Sequence, residues 1–243
     1  MYNKMYIFFL LIINSMKNVA VLLMGGVGRR FNVKTPKQFY LIKKIPLFIY
    51  CLKTFVKIKG LQEIILVINP CHALKVAQYL KHYRLANKIT VIHGSTSRAF
   101  SLLNAIKYVI NNYKEDVKII SHDVARAFVP SFIINEHIKA KLNVNEVIST
   151  IIPCTDALLK INGDSFNTVN RNDYLIMQTP QSFFAQAMDT LIMNNLTTYD
   201  QYQDVCSFAI ANGNKNRNIN GSKLNFKVTT LEDIALLKLL VNQ

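Results

Sequence analysis

The sequence predicts an α/β fold in which a mostly parallel β-sheet is flanked by helices. Three observations carry this reading. Short apolar runs alternate with stretches of helical periodicity, the first run ends in a glycine cluster, and polar clusters recur just after strand ends. Strand–helix alternation implies right-handed crossovers into a parallel sheet. Ligands of such sheets bind beyond the carboxyl ends of the strands, so those polar clusters are the first places to seek a site.

Val19 to Leu23 is an unbroken apolar run, as expected of a strand buried on both faces. Pro46 to Val56 reads as a helix, with Pro46 in the first turn, where its missing N–H costs nothing, and with Leu47, Tyr50, Cys51 and Phe55 near one face. Glu63 to Ile68 is a second strand, stopped by Asn69-Pro70; His72 to Tyr83 follows as a helix and Ile89 to Ile92 as a strand. Ser97 to Asn111 is a third helix, and Val117 to Ile120 a strand running straight into His122-Asp123. The order is that of a Rossmann-like sheet.

One segment breaks the alternation. Ala157 to Ile161 and Phe166 to Val169 read as short strands around Asn162-Gly163-Asp164, and Asn-Gly signals a hairpin because both residues tolerate positive φ. The hairpin is expected to protrude as an arm over residues 153–172. Near the end, Lys227 to Thr229 reads as a strand and Leu231 to Leu240 as a helix, with Thr230 as N-cap and Asp233 in its first turn. Residues 16–243 contain no repeat or low-complexity linker and are expected to form one domain. Residues 1–15 carry an apolar run, Tyr6 to Ile13, too short to span a bilayer, and are read as an extension outside the fold.

Composition narrows the function classes. Apolar residues make up 51% of the 243, with only 8 glycines and 6 prolines, which argues against a disordered or fibrous chain. The formal net charge of +15 admits a nucleic-acid binder. The lysines are nevertheless scattered, with no basic run or basic-aromatic repeat, so neither nucleic acid nor membrane is the expected partner. A basic surface still steers polyanionic nucleotides inward. Cys51, Cys71, Cys154 and Cys206 lie far apart with no zinc spacing, which suits a reducing cytoplasm.

The chemistry begins at Gly25-Gly26-Val27-Gly28, after the first strand, followed by Arg29-Arg30 and by Thr35-Pro36-Lys37-Gln38. Glycines there let backbone N–H groups turn toward phosphate oxygens. The dinucleotide fingerprint fails because Phe31 takes the third glycine's place, and the P-loop pattern fails because Arg30 stands at its second glycine. A dehydrogenase is thereby disfavoured. Chemistry at a phosphate gathers negative charge on the phosphoryl oxygens and the leaving group. Fixed cations and oriented amides stabilise that charge by about a few kcal/mol each.

Gly-x-Gly-Arg-Arg followed by Pro-Lys-Gln resembles the N-terminal signature of the sugar-nucleotide pyrophosphorylase superfamily, and within it the 2-C-methyl-D-erythritol 4-phosphate and ribitol-5-phosphate cytidylyltransferases. The likeness continues through Gly94 to Ser101, Ser121-His122-Asp123-Val124-Ala125-Arg126, Arg171, Gln178-Thr179-Pro180-Gln181 and Asn225-Phe226-Lys227-Val228-Thr229. It implies catalytic roles for Arg30 and Lys37, and nucleotide binding by Met24, Gly25, Gly26, Gly28, Gly94, Arg98 and Ser101. It further implies an acceptor site of Asp123, Arg126, Arg171, Thr179 and Lys227, with Asp123 also holding Mg2+, and support of the site by Asp204. The substrates implied are CTP and a polyol phosphate, in a homodimer whose arm carries Arg171 toward the neighbouring subunit. The implied reaction is transfer of CMP to 2-C-methyl-D-erythritol 4-phosphate, a step toward isoprenoid precursors. The alternative acceptor is ribitol 5-phosphate, and the alternative of another class is a basic nucleic-acid-binding protein.

Overall fold

The computed structural model describes residues 16–25 and 35–241. The extension over residues 1–15, and Gly26, Gly28 and Arg30, lie outside the described residues.

The expected parallel sheet forms from β1 (Asn18–Leu23), β4 (Glu63–Ile68), β5 (Thr90–His93) and β6 (Lys118–Asp123), joined in the order β5-β4-β1-β6 with every pairing parallel. Strand β1 shows why its run is apolar at every position. Val19, Val21 and Leu23 pack into one core cluster and Ala20 and Leu22 into another, because successive side chains point to opposite faces. Helix α1 (Leu47–Val56) and α2 (Ala73–His82) cover one face of this half. Helix α3 (Arg98–Asn112) covers the other, burying Leu102, Ala105, Ile106 and Val109 completely. Pro46 stands just outside α1 as its N-cap rather than in its first turn.

The sheet then continues through strands that the periodicity did not reveal. β7 (Glu146–Pro153), β10 (Leu175–Phe184) and β11 (Lys215–Asn220) extend it to seven strands in the order β11-β7-β10-β6-β1-β4-β5. β10 runs antiparallel to both β6 and β7. Its pairing with β7 shifts register between Gln178 and Gln181, at the cis Thr179–Pro180 bond, as expected where proline removes a ladder donor. Helix α4 (Ser131–Lys139) precedes β7, and the buried Lys118 donates from Nζ to Ile138 O (3.0 Å) and Ala140 O (2.7 Å) at its carboxyl end. Helices α5 (Ala185–Asn194), α6 (Leu196–Tyr199) and α7 (Val205–Ala211) follow β10, with Asp204 capping α7 through Ser207 N at 2.9 Å.

The hairpin forms as β8 (Leu158–Asn162) and β9 (Ser165–Val169), a two-stranded sheet separate from the main one. Its loop centres on Gly163-Asp164, with only Gly163 at positive φ, the glycine-first form of a two-residue turn. A further small ladder pairs β2 (Leu41–Ile42) with β3 (Ile45–Pro46). Lys227 to Thr229, expected as a strand, is irregular backbone instead; a single ladder-like bond, Val228 N to Ala125 O at 2.9 Å, ties it to the turn after β6. Helix α8 (Leu231–Val241) follows, where Asp233 accepts from the amides of Thr229 and Thr230 and Thr230 Oγ1 accepts from Asp233 N at 3.4 Å.

Candidate active site

The carboxyl ends of β1, β4 and β6 open on one cavity of about 430 Å³. Met24 and Gly25 enter it from the end of β1, Asn69 from β4, and Asp123, Val124 and Ala125 from β6. The turn before α3 contributes Ser95, Thr96 and Ser97, its first turn gives Arg98 and Ser101, and Lys227 closes the rim from the C-terminal segment. Lys37 and Gln38 come from a short 3-10 turn, Lys37–Phe39, and also line it. Three cations thus share one cavity with one carboxylate, a positive surplus suited to a polyphosphate.

The turn after β5 is shaped by close approach. Gly94 N donates to Ile68 O at 2.7 Å, and a Cβ at Gly94 would lie 2.8 Å from Ser101 Oγ. That hydroxyl accepts from Ser95 N at 2.9 Å and donates to Ser97 O at 2.6 Å, binding the turn to α3. Ser97 Oγ caps the helix by accepting from Phe100 N at 3.2 Å. Arg98 is consequently the first residue of a fifteen-residue helix, whose amino end favours negative charge.

Asp123 is the electrostatic centre. Its Oδ1 accepts from Arg98 Nε at 2.9 Å and its Oδ2 from Lys227 Nζ at 2.6 Å, linking residues 104 positions apart. Burial opposes its ionisation, but Arg98 and Lys227, with Arg126 behind them, overcome that cost and hold the carboxyl well below the usual carboxylate range. Burial likewise opposes the charge on Arg98, and Asp123 more than restores it. Arg98 Nη2 is buried with no hydrogen-bond partner among the described residues. An orphaned donor of this kind costs about 1–3 kcal/mol or more, and a bound anion would satisfy it.

Other residues form a wall behind the carboxylate. Asp123 N donates to Thr179 Oγ1 at 3.1 Å, and that hydroxyl donates to His122 Nδ1 at 3.0 Å. His122 Nε2 then donates to Arg126 O at 3.1 Å, fixing the neutral tautomer. Burial drives the His122 pKa down to about 4. Arg126 donates from Nη1 to Asn225 O at 2.7 Å and from Nη2 to Met177 O at 3.4 Å. Neither Arg126 nor Thr179 lines the cavity surface; the wall holds both.

A sequence model described as IspD, 2-C-methyl-D-erythritol 4-phosphate cytidylyltransferase, matches residues 18–243. The chain belongs to this family. It is a cytidylyltransferase acting on a sugar or polyol phosphate. A relative from Thermosipho melanesiensis, named 2-C-methyl-D-erythritol 4-phosphate cytidylyltransferase, is 32% identical over 90% of this chain and 96% of its own length. A relative from Lactiplantibacillus plantarum, named ribitol-5-phosphate cytidylyltransferase, is 29% identical over 92% of this chain and 98% of its own. Among solved structures, a 4-diphosphocytidyl-2C-methyl-D-erythritol synthase from Anaerococcus prevotii superposes with a TM-score of 0.77 at 22% identity, covering 95% of this chain and 98% of that one. It shows the same fold.

Within this cytidylyltransferase the expected residues divide by place. Met24, Gly25, Lys37, Arg98, Ser101, Asp123 and Lys227 line one cavity, and Gly94 shapes its rim. Arg171 lies elsewhere, exposed at the base of the hairpin arm, where Nη1 donates to Thr155 O at 2.7 Å. Asp204, expected to support the site, does not line the cavity: its Oδ1 accepts from Gln181 Nε2 at 2.9 Å. Gln38, Asn69 and Ser95 to Ser97 line the cavity without having been singled out. The strand-end rule could have found Asn69, which directly follows β4. His122 and Asn225 stood inside recognised motifs, but nothing in spacing shows that their side chains bind other site segments.

Proposed function

We propose that this enzyme transfers CMP from CTP to the phosphate of 2-C-methyl-D-erythritol 4-phosphate, giving 4-diphosphocytidyl-2-C-methyl-D-erythritol and pyrophosphate. The observation that carries the reading is the convergence of Lys37, Arg98, Asp123 and Lys227 on one cavity at the sheet's carboxyl edge. A phosphate oxygen of the acceptor attacks the α-phosphorus of CTP in line, the bond from that phosphorus to the β-phosphate's bridging oxygen breaks, and pyrophosphate leaves. A phosphate dianion is already a competent nucleophile, so no general base is needed.

Lys37 together with Arg30 stabilises charge on the phosphoryl oxygens as the leaving group departs. Met24, Gly25, Gly26 and Gly28 cradle the phosphates, while Gly94, Arg98 and Ser101 form the nucleotide side. Lys227 and Asp123 form the acceptor side, with Arg126 and Thr179 bracing it from the wall behind, and Arg171 reaches the acceptor phosphate of the partner subunit through the arm of a homodimer. The exposed Leu159, Ile161 and Phe166 of the hairpin support burial of that arm between subunits.

Asp123 is the residue for Mg2+. Among the described residues no group of three His, Cys, Asp or Glu side chains could hold a metal alone. Both Asp123 oxygens already accept from Arg98 and Lys227, so the ion would keep several waters and bind chiefly to substrate phosphates. When bound, the ion neutralises phosphate charge. The enzyme would work in the cytoplasm.

Ribitol 5-phosphate is the second reading, favoured by the Lactiplantibacillus plantarum relative at 29% identity. Incubation with CTP, Mg2+ and each polyol phosphate separately decides between them. Faster pyrophosphate release with the erythritol phosphate is expected; release with ribitol 5-phosphate alone would replace the acceptor, and release with neither would overturn the reading.

A further inference from the structure

We propose that Asn225 is the positioning residue for the acceptor side of the site, acting through Lys227. The inference rests on the proposed transfer to a polyol phosphate. Segment 221–229 is irregular: among the described residues its backbone bonds to the rest of the fold are Gly221 N to Ile151 O at 2.7 Å and Val228 N to Ala125 O at 2.9 Å, besides an internal 3-10 turn, Lys223–Asn225. Such a segment takes its position from the side chains that tie it down, and the largest share of those ties meets at Asn225.

Asn225 is completely buried. Its Nδ2 donates to Gln178 Oε1 at 3.0 Å and to Thr179 O at 2.8 Å, while its main-chain O accepts from Arg126 Nη1 at 2.7 Å. One residue therefore joins β10 at the Thr179–Pro180 bend, the turn after β6 and the chain that carries Lys227. Gln178 answers from the other side, donating from Nε2 to Ser222 O at 3.0 Å. That approach needs Gly221, where a Cβ would fall 2.5 Å from Gln178 Oε1 and 3.0 Å from Ile151 O. Two residues past Asn225, Lys227 reaches Asp123 at 2.6 Å, and one residue later Val228 O accepts from Lys37 Nζ at 3.0 Å.

The amide is chemically required. Both partners of Nδ2 are oxygens that only accept, so a carboxylate of the same shape would face two acceptors with no proton to give. Asn225→Asp keeps volume and removes both donors, releasing the segment that carries Lys227 while leaving the turn before α3 intact. Lys227 belongs to the acceptor side and the turn before α3 is held by its own bonds to Ser101, so KM separates by substrate, while loss of the Lys37–Val228 tie shows in kcat.

The test is steady-state kinetics of Asn225→Asp, Lys227→Ala and the double variant, each substrate varied in turn, with thermal unfolding measured alongside. Asn225→Asp is expected to raise KM for the polyol phosphate about tenfold, equivalent to about 1.4 kcal/mol, while KM for CTP stays within about twofold. In the Lys227→Ala background it is expected to add nothing further, because residues acting through one another are not additive. Equal shifts in both KM values, no shift in either, or a full additional effect without Lys227 would each overturn the inference. Should Asn225→Asp not unfold cooperatively, Asn225→Leu, of similar shape and without either donor or a charge, carries the test with the same expected pattern. Wild-type enzyme runs in parallel: its failure to turn over either polyol phosphate refutes the proposed function, whereas normal wild-type turnover with unaltered variants refutes only the role of Asn225.

Discussion

Acidification below pH 6.5 should destabilise this fold, because two histidines are buried in neutral form. His137 is fully buried; its Nε2 donates to Thr150 Oγ1 at 2.9 Å and its Nδ1 accepts from Ser182 Oγ at 2.7 Å, while Thr150 Oγ1 donates onward to Pro180 O at 2.6 Å. Burial, then the charge of Lys118, lowers its pKa to about 3, and burial lowers that of His122 to about 4. In the unfolded chain both return to the ordinary value of 6.5. Below that value the unfolded state binds two protons that the folded state refuses. The stability they contribute is therefore complete above pH 6.5 and drains away as pH falls toward the folded values. Each histidine sets a slope of about 1.4 kcal/mol per pH unit. Between pH 6.5 and about pH 5 the loss is then about 2 kcal/mol per histidine, about 4 kcal/mol for both as an upper bound. Urea unfolding at pH 7 and at about pH 5 measures it, and His137→Gln should remove about half of the difference. A free energy of unfolding that is flat across this interval, or a His137 ring resonance titrating near 6.5 in the folded protein, would refute the reasoning.

Two further outcomes concern the cavity and one the hairpin arm. Lys37→Ala should lower kcat by about a hundredfold to a thousandfold, the scale of losing one oriented charge-stabilising donor; circular dichroism should show an unchanged fold, and near-normal turnover would remove Lys37 from catalysis. Gly94→Ala places a Cβ 2.8 Å from Ser101 Oγ, which both Ser95 and Ser97 fix, so the turn must shift; KM for CTP should rise about tenfold, or about 1.4 kcal/mol, read by initial rates at varied CTP. Mixing Arg171→Ala with Lys37→Ala subunits should restore up to about a quarter of wild-type turnover, since half of the dimers would carry one intact site. No recovery after confirmed subunit exchange would mean that Arg171 does not serve its neighbour.

Much of this fold was legible where burial imposes a period. Glu63–Ile68 was bounded to the residue because both faces of β4 are covered and Asn69-Pro70 ends it. β10 was not legible. Pro180 interrupts it with a cis bond, and Gln178, Thr179, Gln181 and Ser182 are buried polar residues that break the apolar pattern. Their partners, His122, His137, Asn225 and Asp204, come from four other segments, and a polar residue satisfied by a distant polar residue leaves no local signal. Lys227–Thr229 misled for a related reason: alternating Lys, Val and Thr suit a strand, yet Val228 buries its side chain against Ala127 and Ile42 from a loop. At the site, strand ends marked Asp123, and the glycine run marked Gly25, which lines the same cavity. The Asp123–Lys227 contact spans 104 positions, and only the assembled sheet brings it about.

The central claim is that cations and a carboxylate from distant stretches meet on one nucleotide, and a crystal structure with CTP and Mg2+ tests it most directly. The triphosphate is expected between Lys37 and Arg98, with Arg98 Nη2 donating to it and Gly25 beneath. CTP seated elsewhere, for instance in the open groove beside Lys53, Lys57 and Lys59, with the Asp123 cavity holding none, would contradict the account.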